Sequence, residues 1–142
     1  MFIASLVRAK GTFVATIEPE RTVTQLLVSL GRHNVGALVV SADGEHIEGV
    51  VSERDVARHL AREGALVLER PVSVIMTRDV RTCSLHDRLE DLMLTMTRER
   101  IRHVPVVDEG RLVGIVSIGD VVKSRLDELQ GERDELIHYI SH

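Results

Sequence analysis

Two stretches of this chain are nearly the same: GVVSERD at residues 49–55 and GIVSIGD at residues 114–120. Each runs glycine, two β-branched residues, serine, two variable positions, aspartate. The β-branched pair reads as a strand. Ser-x-x-Asp reads as a helix start, with a hydroxyl at the cap and a carboxylate three residues on. A strand that runs straight into a helix, twice in one chain, supplies the register from which everything else can be aligned.

The match extends far outside the motif. Gly49 and Gly114 are separated by 114 − 49 = 65 positions, and upstream VTQLLVSL (23–30) lies over LEDLMLTM (89–96) at 89 − 23 = 66. Both segments are apolar at i, i+3, i+4 and i+7: Val23, Leu26, Leu27, Leu30 against Leu89, Leu92, Met93, Met96. That is one face of an amphipathic helix. VGALVV (35–40) lies over IRHVPV (101–106) as a strand in each copy, and the offset drops by one in the turn, where SADGEH (41–46) stands against VDEGR (107–111). A hairpin turn is where a repeat absorbs a length change most readily. A first short strand falls near Val14–Ile17 and Val80–Cys83, and the closing helices begin near Asp55 and Asp120.

The fold class is therefore α+β, built from two tandem βαββα repeats. One copy of about 50 residues buries only a thin core by itself. Packing the two sheets against each other about a pseudo-twofold axis answers that. The expected division is an N-terminal helical segment (1–13), repeat 1 (14–62), a linker with a short helix starting near Pro71 (63–79), repeat 2 (80–126) and a C-terminal helical tail (127–142). In the tail, Val122, Leu126, Leu129, Leu136 and Ile140 keep near-helical spacing, with Gly131 among the charged residues between them. Such a helix either covers the domain or extends into a dimer contact.

Composition removes several function classes. The 142 residues carry a net charge of −4 and only three aromatic residues, Phe2, Phe13 and Tyr139. A nucleic-acid partner would call for a basic surface and stacking platforms, and neither is available. The apolar run at residues 2–7 is followed by Arg8 and Lys10, the reverse of a signal peptide, and no segment approaches 18 apolar residues. Cys83 is the single cysteine, so no intramolecular disulfide forms; a cytoplasmic protein without a membrane span is expected. Cys83 aligns with the apolar Ile17, the place of a buried structural thiol. Seven histidines, at 33, 46, 59, 86, 103, 138 and 142, show no metal-ligand spacing, and no nucleophile–base constellation or phosphate-loop motif is present. The chain reads as non-catalytic, with no metal and no catalytic cofactor.

Ser52-x-x-Asp55 and Ser117-x-x-Asp120 are sufficient as helix caps. The same geometry also suits a nucleotide: free N–H groups and the positive end of the helix dipole attract a phosphate, and the serine hydroxyl adds a donor. A carboxylate at that point can accept hydrogen bonds from both hydroxyls of a cis-diol. The glycine before the β-branched pair leaves room for a flat ring beside the strand. Repetition of the whole unit favours the site over the bare cap.

Two copies of h-G-h-h-S-x-x-D, each preceded by a helix and a strand, with RIRHVPVVDEGRLVGIVSIGD (100–120) in the second and RHNVGALVVSADGEHIEGVVSERD (32–55) in the first, resemble a pair of CBS (cystathionine-β-synthase) domains. The resemblance departs at Val39, where the family often has proline. It implies a regulatory sensor with two clefts, commonly a homodimer. The ligands it implies contain adenosine: AMP, ADP, ATP, NAD(H) or S-adenosylmethionine. Carried over, Asp55 and Asp120 would hold ribose and Ser52 and Ser117 would meet phosphate. Thr16 and Thr82 would line the clefts, while Val35, Ala37, Leu38, Ile101, His103 and Val104 would bracket the base. Arg54 would clamp a phosphate, and its counterpart is Gly119, so the two clefts are expected to differ, with the Arg54 side better for an anion. The chain has little room for an effector domain, so the output is expected in a regulated partner protein or in a homo-oligomer. The reading from another class is a dimerisation scaffold with vestigial clefts.

Overall fold

The computed structural model describes residues 1–11 and 14–141. Residues 12 and 13 of the expected N-terminal segment, and residue 142 of the tail, lie outside them. The elements in chain order are α1 (Ile3–Lys10), β1 (Thr16–Ile17), α2 (Val23–His33), β2 (Ala37–Val40), β3 (Gly49–Ser52), α3 (Glu53–Glu63), β4 (Cys83–Ser84), α4 (Leu89–Glu99), β5 (His103–Asp108), β6 (Arg111–Ser117) and α5 (Ile118–Ser141). Between α3 and β4 stand two short 3-10 helices, at Gly64–Glu69 and Val72–Val74. Pro71 separates them and caps the second.

Each repeat folds into one three-stranded sheet, β1-β2-β3 and β4-β5-β6, with the first pair parallel and the second antiparallel. Registers correspond: Ala37 pairs with Ser52, and His103 with Ser117. α2 starts in a reciprocal box, with Gln25 N–H donating to Thr22 Oγ1 (3.1 Å) and Thr22 N–H to Gln25 Oε1 (2.9 Å). α2 and α4 both end on a left-handed residue, Asn34 (φ 52°) and Arg100 (φ 55°). The β5–β6 turn places Glu109 and Gly110 at φ 51° and 78°, as a two-residue hairpin requires. In repeat 1 the longer turn is organised by the Asp43 carboxylate, which accepts the N–H groups of Glu45 (2.8 Å) and His46 (2.9 Å).

Strand alternation separates two faces. Leu38, Val40 and Val51 meet Leu26, Leu30 and Val56 in one core, and Val104, Val106 and Val116 meet Leu92, Met96 and Val121 in the other. Ala37 and Val39 point the opposite way and are buried as well, as is Pro105 of β5. The second faces are thus covered sheet to sheet, as an unsupported repeat requires. The hairpin ends meet across the repeats, where Leu112 N–H donates to Glu45 C=O (2.8 Å).

The lead-in segments are exchanged between the repeats. α1 precedes repeat 1 but packs on repeat 2, with Ile3, Leu6 and Val7 in that core. Val67, Val72, Ile75 and Met76 precede repeat 2 but complete the core of repeat 1. The hydrogen bonds correspond pair by pair. Ile3 N–H to Asp87 C=O (2.9 Å) matches Val72 N–H to Arg21 C=O (2.7 Å), and Ala4 N–H to Leu85 C=O (2.9 Å) matches Ser73 N–H to Pro19 C=O (3.1 Å).

This exchange corrects the reading of the motif glycines. A Cβ on Gly49 would stand 2.7 Å from Met76 Sδ and 2.8 Å from the Thr77 carbonyl oxygen; one on Gly114 would stand 3.3 Å from a Val7 methyl. The space is filled by the chain's own exchanged segments and holds no room for a ring.

α5 runs as one helix of 24 residues through Gly131, about 36 Å at 1.5 Å per residue. Of its residues only Val121 is buried, and from Leu129 to Ser141 every one is exposed. The tail therefore does not cover the domain. No helix among the described residues is long and apolar enough to cross a membrane.

Candidate functional site

The two motif ends form capping boxes with different hydrogen-bond partners. In repeat 1, Ser52 N–H (2.8 Å) and Ser52 Oγ (3.0 Å) both donate to Asp55 Oδ2, and Asp55 N–H donates to Ser52 Oγ (3.3 Å). Among the described residues Asp55 Oδ1 accepts no hydrogen bond. In repeat 2, Ser117 N–H donates to Asp120 Oδ2 (2.9 Å) and Asp120 N–H to Ser117 Oγ (3.1 Å). The second donor to Asp120 Oδ2 is Lys10 Nζ of α1, at 2.6 Å. Burial raises the Asp120 carboxyl, but the Lys10 and Ser117 hydrogen bonds outweigh it and hold the group below its ordinary value.

Beside the first cap lies a cavity of about 660 Å³ between the repeats, within the range of small-molecule sites. Its wall is made by Gly36 and the α3 N-terminus (Ser52, Glu53, Arg54, Asp55, Arg58), by Thr77 and Asp79–Arg81, by Arg100–His103, and by Ser117–Gly119. Five arginines (54, 58, 81, 100, 102) face three carboxylates (53, 55, 79), a balance of 5 − 3 = +2 in a chain of net −4. Arg81 is tied to Glu99 at 2.5 Å; the other four make no ion pair among the described residues. The arrangement can hold an anion at the α3 N-terminus and leave a carboxylate oxygen open to hydroxyl donors. Burial, then Arg102 and Lys10, keep the His103 ring below its ordinary pKa against the opposing pull of Asp120 and Glu53. At neutral pH it is an uncharged, half-buried ring on the cavity wall.

Of the residues singled out from the sequence, the cavity brings together Ser52, Arg54, Asp55, Ile101, His103 and Ser117. Asp120 turns to Lys10 and is not on this wall. Leu38 and Val104 send their side chains into the two cores, and neither lines the cavity. Ala37 is buried and Val35 exposed at the entry to β2, and neither lines the cavity. Thr16 lines a separate, polar hollow of about 460 Å³ with Arg21, Arg32 and Asp43, and Thr82 is exposed ahead of β4. Sequence reasoning missed Gly36, Asp79, Arg81, Arg100 and Arg102. The arginines flanking Ile101 in RIRHVP were the available signal; the exchanged segment 77–81 offered none. Cys83 is buried, and burial pushes its thiol up to about 12. Asp43, Glu45 and His46 bring ligand atoms within 4.8 Å of one another, all exposed. Asp43 already spends its oxygens on the turn N–H groups and on His46 Nδ1 (2.6 Å).

The CBS domain matches this chain twice, over residues 12–62 and 72–127. The chain is a CBS-domain pair. A CBS-domain containing protein from Agrobacterium tumefaciens, 43% identical, superposes with a TM-score of 0.84 over 88% of this chain and 99% of that one. The CBS domain-containing protein YhcV of Bacillus subtilis (strain 168) is 33% identical over 115 residues, 81% of either chain. CBSX3, a mitochondrial CBS domain-containing protein of Arabidopsis thaliana, is 37% identical over 123 residues, and this CBS pair spans 60% of its length. The CBS domain pair of protein MJ0100, solved in complex with 5′-methylthioadenosine and S-adenosyl-L-methionine, is 25% identical with a TM-score of 0.76 over 89% of this chain and 98% of that one. Pairs of this family are in general regulatory, ligand-binding modules, and adenosine compounds are among the molecules that solved members hold.

Proposed function

We propose that this CBS pair is a non-catalytic, cytoplasmic regulatory module that binds an adenine nucleotide (AMP, ADP, ATP or NAD(H)) and relays its presence to a partner protein. The observation that carries the reading is the arginine-lined cavity against the Ser52–Asp55 cap. Asp55 Oδ1 accepts the ribose hydroxyls, the α3 N-terminus with Arg54 and Arg58 takes the phosphate, and the base lies against Ile101 and the neutral His103 ring. The experiment is a thermal-shift and calorimetric screen of AMP, ADP, ATP, NAD(H) and S-adenosylmethionine. A ligand at 100 times its Kd stabilises the fold by about 2.7 kcal/mol. No shift with any of them at millimolar concentration refutes the reading.

A scaffold role is favoured by a different observation. Val122, Leu126, Leu129, Arg133, Leu136 and Ile140 follow one another at steps of 4, 3, 4, 3 and 4 along the exposed face of α5, the spacing of a coiled-coil seam. The occupant is a second copy of this chain. Arg133 is the one charged residue of the seam, and in a parallel pair in register two Arg133 would face each other. Native mass spectrometry should show a dimer that Leu129→Glu or Leu136→Glu converts to monomer. A monomeric wild type removes this contact.

A further inference from the structure

We propose that Lys10 is a built-in occupant of the second cap, so that the chain takes its first ligand at Asp55 and admits one at Asp120 only by displacing the Lys10 ammonium. The inference rests on the regulatory reading above and deepens it.

The exchanged segments align at one constant offset. Ile3 matches Val72 and Ala4 matches Ser73 by their hydrogen bonds, Met1 matches Arg70 through the carbonyls that accept Leu89 N–H and Val23 N–H, and Val7 matches Met76 against the motif glycines. Each pair differs by 69, as in 72 − 3. Lys10 then corresponds to 10 + 69, which is Asp79, a residue on the cavity wall. The two caps thus receive opposite charges at corresponding positions of the exchanged segments.

The attachment differs too. In repeat 1 the Val50 carbonyl accepts Thr77 N–H (2.9 Å), a backbone bridge that involves no side chain. The corresponding carbonyl of repeat 2, at 50 + 65, belongs to Ile115 and accepts Lys10 Nζ (2.8 Å). The same ammonium reaches Asp120 Oδ2 at 2.6 Å. It therefore bridges strand and helix end at the carboxylate that a ribose would use. Asp55 meets no cation among the described residues. Gly119 stands where the first cap has Arg54, so the second cap lacks that cation and has its acid occupied.

A ligand at Asp120 has to break a charge-assisted hydrogen bond between partly exposed groups, which weakens that site roughly tenfold. The test is calorimetry on the full chain with AMP and with ATP, comparing wild type, Lys10→Ala, Asp55→Asn and the double variant. Asn at 55 keeps an acceptor for Ser52 N–H and so keeps the cap. The expected result is one strong site per wild-type chain, lost in Asp55→Asn, and a second site that tightens about tenfold when Lys10→Ala is added to Asp55→Asn. Affinity at the Asp55 site stays within twofold in Lys10→Ala alone. Two equal sites in wild type, no tightening, or a weaker second site in the double variant (Lys10 then serving as a phosphate clamp) overturns the proposal while leaving the regulatory reading in place. Absence of binding by every variant overturns the regulatory reading itself, and the role of Lys10 with it.

Discussion

Substituting alanine at the two motif glycines probes the exchange of lead-in segments directly. At Gly49 the added methyl would lie 2.8 Å from the Thr77 carbonyl oxygen, and that carbonyl is held by Val50 N–H (3.0 Å). Met76 can swing aside; the backbone of Thr77 cannot move without loosening both hydrogen bonds of the Val50–Thr77 bridge. Overpacking costs about 1–3 kcal/mol, and the bridge contributes about 1 kcal/mol per hydrogen bond. Alanine returns about 0.4–1 kcal/mol by restricting the unfolded chain. The net expectation for Gly49→Ala is a loss of about 2–4 kcal/mol. At Gly114 the nearest atoms are the Val7 methyls at 3.3 and 3.4 Å, which yield by a small rotation. Gly114→Ala should stay within about 1 kcal/mol of wild type once the same entropic gain is included. Urea unfolding of the ligand-free proteins, followed by circular dichroism, measures the difference. Equal stability of the two variants, or a Gly49→Ala protein that unfolds like wild type and loses only ligand affinity, refutes the argument; the latter is the behaviour of a glycine kept for a ligand ring.

Further outcomes follow from the same contacts. Ser52→Ala removes the hydroxyl that both donates to Asp55 and accepts its N–H, and should cost about 0.5–2 kcal/mol in urea titrations of the ligand-free protein. His103 is held below the ordinary histidine value of about 6.5, chiefly by burial. Below that pH the unfolded chain takes up a proton that the folded one refuses, so its contribution is complete above pH 6.5 and declines as pH falls toward the folded pKa. His103→Gln should flatten that part of the stability–pH curve, and an unchanged slope counts against the buried neutral ring. His46, held above its ordinary value by its hydrogen bond to Asp43, acts with the opposite sign and is common to both proteins. The Cys83 thiol, pushed up to about 12, should react with a disulfide reagent at pH 8 only as fast as the fold opens, and rapid labelling of the native protein would show it to be accessible.

Much of this protein was legible because its signals are short-range. Helical spacing in 23–30 and 89–96, the alternating strands and the Ser-x-x-Asp caps are set by neighbours a few residues apart, and the repetition located the helices and hairpins of both repeats; the short first strand of repeat 2 lies at Cys83–Ser84, later than Val80–Cys83. The seam along α5 could be read as well, yet whether it was buried could not. Arg100 carries no mark of the left-handed cap it forms; its counterpart Asn34 does, because asparagine tolerates that backbone and arginine is merely forced into it.

Sequence by itself determined the α+β class, the duplication, and which serine and aspartate end each strand–helix junction, since each depends on periodicity and local capping. Only the tertiary structure decided what those junctions face. Two nearly identical sheets offer the same apolar surface, so the spacing of Ile3, Leu6 and Val7 calls for burial without choosing a repeat. The packing makes that choice, and it places Met76 over Gly49, Val7 over Gly114, Asp79 beside Asp55's cavity and Lys10 on Asp120. Partners 110 residues apart along the chain are brought to 2.6 Å by packing alone, and that packing makes two like motifs unlike as sites.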